Sequence, residues 1–266
     1  MNTSLRRSTP SPPWQACKMT LVLTIDWSDA STAVTIVDTA ARTTVAEGQS
    51  RHTPSSSLTD SAEIWWTALV DATHTALDGL AVLNLTTEDI RLIELSGNDP
   101  AGGLVGFDSA GAVVAAISSS HSDSNTDAKW LLAHVNGGAD EWHATTGVLP
   151  VAGSTIALVS WLHRTSPETW SSLHTVTLPI GLLANLLGGD PSLSISAATG
   201  TALLDRQSQT WCTALLDLVD PEPDWSAALP KITTASTPIG VLSADAAHAL
   251  RLPAGRPLHA GTATSS

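Results

Sequence analysis

The chain has 266 residues, of which 42% are apolar, enough for one large domain or two small ones with a real core. Its formal net charge is −13, with lysine only at positions 18, 129 and 231, which excludes the basic footprint needed for nucleic acid or an anionic membrane surface. Cys17 and Cys212 form neither a metal-spaced pair nor a disulfide framework, and no stretch approaches the roughly 18 uncharged apolar residues of a membrane helix, so a cytoplasmic location is expected.

Residues 1–18 carry Arg6-Arg7 but continue in Ser, Thr and Pro without an apolar run, so they read as a disordered extension rather than a secretory signal, with Met19 an alternative start. Leu21 to Ile25 form a buried strand ending at Asp26, and Ala33 to Val37 return as a second strand. Thr43 to Gly48 reads as a third. After a Ser/Pro loop over Arg51 to Leu58, a helix starts at Asp60, which is expected to cap it with Glu63 bonding back. Trp65, Leu69, Ala72 and Ala76 recur on one face of that helix. Ile90 to Leu95 is a strand, and Leu104 to Phe107 with Val113 to Ile117 flank a turn at Asp108-Ser109-Ala110-Gly111. The second half reads as mostly helical: Asp127 to Val135, Ile156 to Arg164, Pro167 to Ser172, Pro179 to Leu187 and Thr210 to Leu218, with a strand at Thr175 to Leu178.

A hairpin with an acidic residue at the tip of its first strand is a way to present metal and phosphate, and its turn then needs glycine so that amides can approach phosphate oxygens. Here the turn is Trp27-Ser28-Asp29-Ala30-Ser31: it contains no glycine, adds a carboxylate, and is expected to be crowded by the Trp27 indole. Other chemistries are poorly served. Ser120, His121 and Asp123 are loop neighbours that cannot set triad geometry, the histidines show no zinc spacing, and no P-loop exists. Trp65, Trp66 and Trp161 sit on helical apolar faces and read as core.

Taken in order, Glu63-Ile64-Trp65-Trp66, Trp161-Leu162 with Glu168 and Trp170, Leu178-Pro179, Gly189-Asp190, Gly200-Thr201 with Asp205, and Gln209-Thr210-Trp211 resemble the N-terminal lobe of FGGY-type carbohydrate kinases, xylulokinase-like members most closely. The resemblance implies an α/β fold: a ribonuclease-H-like, actin-like ATPase lobe with a mixed sheet and flanking helices over residues 19–256. Residues 257–266 would be a tail resembling the start of a missing second lobe. It further implies ATP and Mg2+ as cofactors, with Asp26, Ser28 and Ser31 at the nucleotide phosphates and Asp26 on the metal. It places a pentulose or polyol near Asn98, Asp99, His121 and Asp123.

The sequence departs from the family where chemistry is expected. The family's Gly-Thr of the phosphate turn is Ser28-Asp29, its Gln-Met-His-Gly turn aligns with Asn98-Asp99-Pro100-Ala101, and its Trp-Asn-Asp-x-Arg segment with Ser120-His121-Ser122-Asp123-Ser124. Leu158 or a neighbour stands for a family lysine, Ile180-Gly181-Leu182 for a Lys-Asp-Tyr run, and Ala197 for an aspartate. The family's catalytic base falls near Thr264, within Thr262-Ala263-Thr264-Ser265-Ser266, so no catalytic residue is assigned. Asn98-Asp99-Pro100 also reads simply as a turn. The expectation is a degenerate or truncated member with little phosphoryl transfer. The alternative is a non-catalytic binding module that pairs with itself or with a separate second-lobe chain.

Overall fold

The structure, a computed structural model, describes residues 20–53, 55, 57–97, 102–234 and 237–261. Three strands, β1 (Leu21–Trp27), β2 (Ser31–Asp38) and β3 (Thr43–Arg51), form an antiparallel meander that leads into the long helix α1 (Asp60–Val82). Strand β4 (Ile90–Gly97) then pairs parallel to β1. The chain continues through β5 (Leu104–Phe107) and β6 (Val113–Ile117) into the helices α2 (Asn125–His134), α3 (Gly138–Thr146), α4 (Thr155–Thr165) and α5 (Pro167–Ser172). Strand β7 (Thr175–Thr177) joins β5 and β6 in a three-stranded sheet, and α6 (Pro179–Leu187) follows. A stretch of short elements comes next: β8 (Leu193–Ser194), α7 (Ile195–Thr199), α8 (Thr213–Leu216), α9 (Trp225–Ala228) and β9 (Ile232–Thr233). The described chain closes with β10 (Pro238–Val241), α10 (Ala244–Leu250) and β11 (Pro257–Ala260).

The main sheet has six strands in the order β10-β11-β4-β1-β2-β3. Period-two alternation builds it: Leu21, Leu23, Ile25 and Trp27 of β1 are buried, as are Val34 and Ile36 of β2. Burial of each such aliphatic side chain contributes about 1.5–3 kcal/mol. Helix α1 covers β2 and β3 with Trp65, Leu69, Ala72, Ala76 and Leu80, and it comes so close that a Cβ on Gly48 would lie 2.1 Å from the Ala72 carbonyl oxygen. A second core, around Trp142, Ile156, Leu158, Leu162 and Leu216, belongs to the helical half.

Several expectations are corrected here. Asp60 does not cap α1: Thr59 occupies that position without a side-chain bond, and Asp60 lies inside the helix, its carboxylate accepting from Ser55 Oγ at 3.3 Å. The Trp27 indole points into the core, 6% exposed and edge-on to Trp65 at 5.2 Å, so it does not crowd the turn. The helix expected over Thr210 to Leu218 shrinks to Thr213–Leu216, because Trp211 bridges Leu204 and the Cys212 amide donates to the Leu203 carbonyl, which holds residues 211–212 extended. Pro257–Ala260 form β11 of the main sheet, parallel to β4 and between it and β10. No helix among the described residues is long and apolar enough to cross a membrane.

Candidate functional site

Strands β1, β4 and β11 run parallel, with Trp27 in register with Gly97 and Ala260 with Leu95, so their carboxyl ends share one edge. In open α/β sheets ligands collect outside that edge. The β1–β2 turn is located there. Asp26 is the penultimate residue of β1, opposite Ala33 on β2 and beside Ser96 on β4.

The turn itself is closed by its own serines. The Ser28 amide and Ser28 Oγ both donate to the Ser31 carbonyl at 2.9 Å, and the Ser31 amide donates to Ser28 Oγ at 3.2 Å. Two amides of the turn are therefore engaged inside it. Asp29 points away from the turn altogether: its carboxylate accepts from the backbone N of Ser119 at 3.0 Å and from Ser119 Oγ. This ties the turn to the loop that follows β6.

His52, just past β3, supports the turn from the other side. Its Nδ1 lies 3.2 Å from the Asp29 carbonyl oxygen, which can only accept, so Nδ1 carries the proton. Nε2 then accepts from the Thr32 hydroxyl at 2.9 Å, and the His52 amide donates to the Ala30 carbonyl at 2.9 Å. Burial pushes the basicity of His52 below the ordinary histidine value, against a smaller opposing pull from Asp29. The imidazole is held neutral.

The other expected site residues are distributed differently. His121 lies edge-on to Trp161 at 4.4 Å with its Nε2 buried and unpartnered, while Asp123 is exposed on a single helical turn spanning Ser122–Ser124. Ser120 Oγ is 2.6 Å from Ser118 Oγ, so it is engaged within its own loop. Asn98, Asp99 and Thr264 lie outside the described residues. Among the described residues no group of three His, Cys, Asp or Glu side chains converges to hold a metal ion. Two participants escaped sequence reasoning: Ser119, 90 residues from Asp29, and His52, hidden in a Ser/Pro loop. No local pattern marks either.

The sheet order and the crossing helix define a lobe of the actin-like, ribonuclease-H-like class. The match to the FGGY family of carbohydrate kinases, N-terminal domain, runs over residues 21–264, and the chain belongs to that family. It is 28% identical over 215 residues to a xylulose kinase of Streptomyces coelicolor, covering 80% of this chain and 42% of the relative. Against an autoinducer-2 kinase of Escherichia coli it is 31% identical over 128 residues, 48% of this chain and 23% of the relative. The chain thus spans less than half the length of these relatives. Among solved structures, the xylulose kinase of Rhodospirillum rubrum superposes with a TM-score of 0.77 at 22% identity, covering 91% of this chain and 49% of the other. The glycerol kinase of Plasmodium falciparum with ADP gives 0.75 at 18% identity over 92% and 48%.

Proposed function

We propose that the chain is the sugar-side lobe of a carbohydrate kinase of the xylulose-kinase type, and that its phosphate-gripping turn has become a structural turn, leaving ATP-dependent phosphoryl transfer weak or absent. The family affiliation supports the sugar. The reading of weakened transfer is carried by the Ser28–Ser31 turn, in which the Ser28 and Ser31 amides bond within the turn, together with the Asp29 carboxylate bound to Ser119. Phosphoryl transfer depends on positioning and on donors aimed at phosphate oxygens. A turn with two of its amides already engaged, and whose only added group is an anion, does not fit a triphosphate, and no step runs through ATP or Mg2+ here.

What the chain's own residues supply is a rigid edge: Asp29 and Ser119 fix one loop against the sheet, and His52 fixes the turn. A coupled assay of ATP consumption with D-xylulose and a panel of ketoses and polyols tests the reading. The expected result is no turnover above the sugar-free background. Sugar-dependent turnover in the kinase range of about 1–100 s⁻¹ would falsify it.

A further inference from the structure

The main sheet ends on one side at β3, and among the described residues no strand lies beyond it. The His52 amide donates to the Ala30 carbonyl, and in an antiparallel pair residues two apart turn their amides and carbonyls to the same side. Gly48 and Ser50, in register with Val34 and Thr32, therefore bond to β2, whereas Glu47, Gln49 and Arg51 turn their backbone groups outward. No described residue takes up those groups. An edge of this kind accepts a further strand.

Helix α1 lies over the same edge. Thr75, exposed on its flank, has its Cβ 2.9 Å from where a Cβ on Gly48 would lie. Asp60, Glu63, Asp71 and Asp78 are exposed along that side of the helix, and none forms an ion pair among the described residues. Between the end of β3 and the first half of α1 is a hollow of about 400 Å³, bordered by Asp60, Glu63, Asp71 and Arg51 and lined also by Ile64 and the buried Ala68. Three carboxylates against one guanidinium leave it negative.

We infer that β3 and this hollow bind an extended basic segment of a partner protein, added as a seventh strand with an arginine seated in the hollow. Residues of the segment opposite Glu47, Gln49 and Arg51 exchange backbone hydrogen bonds with β3 and share its solvent face, so the residues between them face α1. An arginine there lays its aliphatic stem on Ile64 and Ala68 and offers its fork of donors to the carboxylates. The backbone ladder supplies affinity and the charge selects the sequence. A second copy of this chain fits poorly. Pairing β3 with β3 sets strands about 4.8 Å apart, while the two α1 helices above the seam need about 8–10 Å and would bring two rows of carboxylates together.

This inference is independent of the sugar and phosphoryl-transfer readings above. Titration of the full chain with a fluorescein-labelled heptapeptide alternating threonine and arginine, followed by anisotropy, tests it. Binding is expected at one peptide per chain, and about tenfold weaker in the double variant Glu63→Gln, Asp71→Asn. Gln49→Pro removes the central outward amide while leaving the β2 ladder intact, and is expected to weaken binding about tenfold as well. On the unaltered chain, N-methylation of the peptide's threonines, whose amides face β3, is expected to abolish binding, and N-methylation of its arginines to leave it unchanged. A peptide with glutamate in place of arginine that binds equally well overturns the inference. So does a threonine-methylated peptide that binds like its parent, or no binding of the arginine peptide at all. A dimer that Gln49→Pro dissociates and the peptide does not would give the edge to a second copy and overturn it too.

Discussion

Asp29 and His52 hold the same turn from two sides, one through its carboxylate and the other through its ring. Because burial depresses the basicity of His52, the folded protein resists protonating it while the unfolded chain does not. The associated stability is complete above the ordinary histidine value of 6.5 and is lost as pH falls below it towards the depressed folded value. Urea midpoints at descending pH should fall in that window, and His52→Gln should flatten the fall. Asp127 offers a second test. It is buried and accepts from Arg164 Nε at 3.0 Å, Arg164 Nη2 at 2.7 Å and Ser160 Oγ at 3.3 Å. Asp127→Ala should lower unfolding free energy by about 1–3 kcal/mol, towards the smaller figure because the half-exposed Arg164 regains water.

The contact between β3 and α1 depends on a missing side chain. Gly48 faces the Ala72 carbonyl oxygen at 2.1 Å and the Ala76 amide at 2.7 Å from where a Cβ would be, so backbone and not a pliable side chain stands in the way. Gly48→Ala should destabilise by about 1–3 kcal/mol or more, read as a lower urea midpoint. Such elements were largely legible in advance. The alternation in β1 and the Trp65–Ala76 stripe of α1 are strong because each has one buried face. Helix α3 was not anticipated, since Gly138–Thr146 buries only Trp142 and Thr146 and shows no apolar stripe. α10 was missed for a similar reason: its buried Ala246, Ala247 and Leu250 are small or isolated. The candidate site was half legible. The glycine-free turn is visible as a local pattern, but a carboxylate meeting a serine 90 residues away follows from the path of the chain and not from neighbouring residues.

Strand β11 matters to the entire sheet. It is late in the chain yet lies inside the main sheet, where it pairs parallel to β4 and antiparallel to β10. A chain cut after Arg256 should therefore leave β4 with an open edge and β10 without its partner, and open edges invite association. Circular dichroism should show a broad, poorly cooperative unfolding transition, and size-exclusion chromatography should show species larger than the uncut chain. The net charge of −13 opposes such association in the intact molecule, so the difference between the two should grow as added salt screens repulsion.

The clasp between Asp29 and Ser119 also constrains which sequence changes are open to this lobe. Any replacement of Asp29 made to reshape the turn would at the same stroke unhook the neighbouring loop, so that change incurs the loss before any gain is realised. Substitutions at 28, 29 and 119 should combine non-additively, with their order of introduction deciding whether an intermediate is viable. The landscape around this turn is rugged, and a laboratory effort to introduce glycine there would have to alter both partners together.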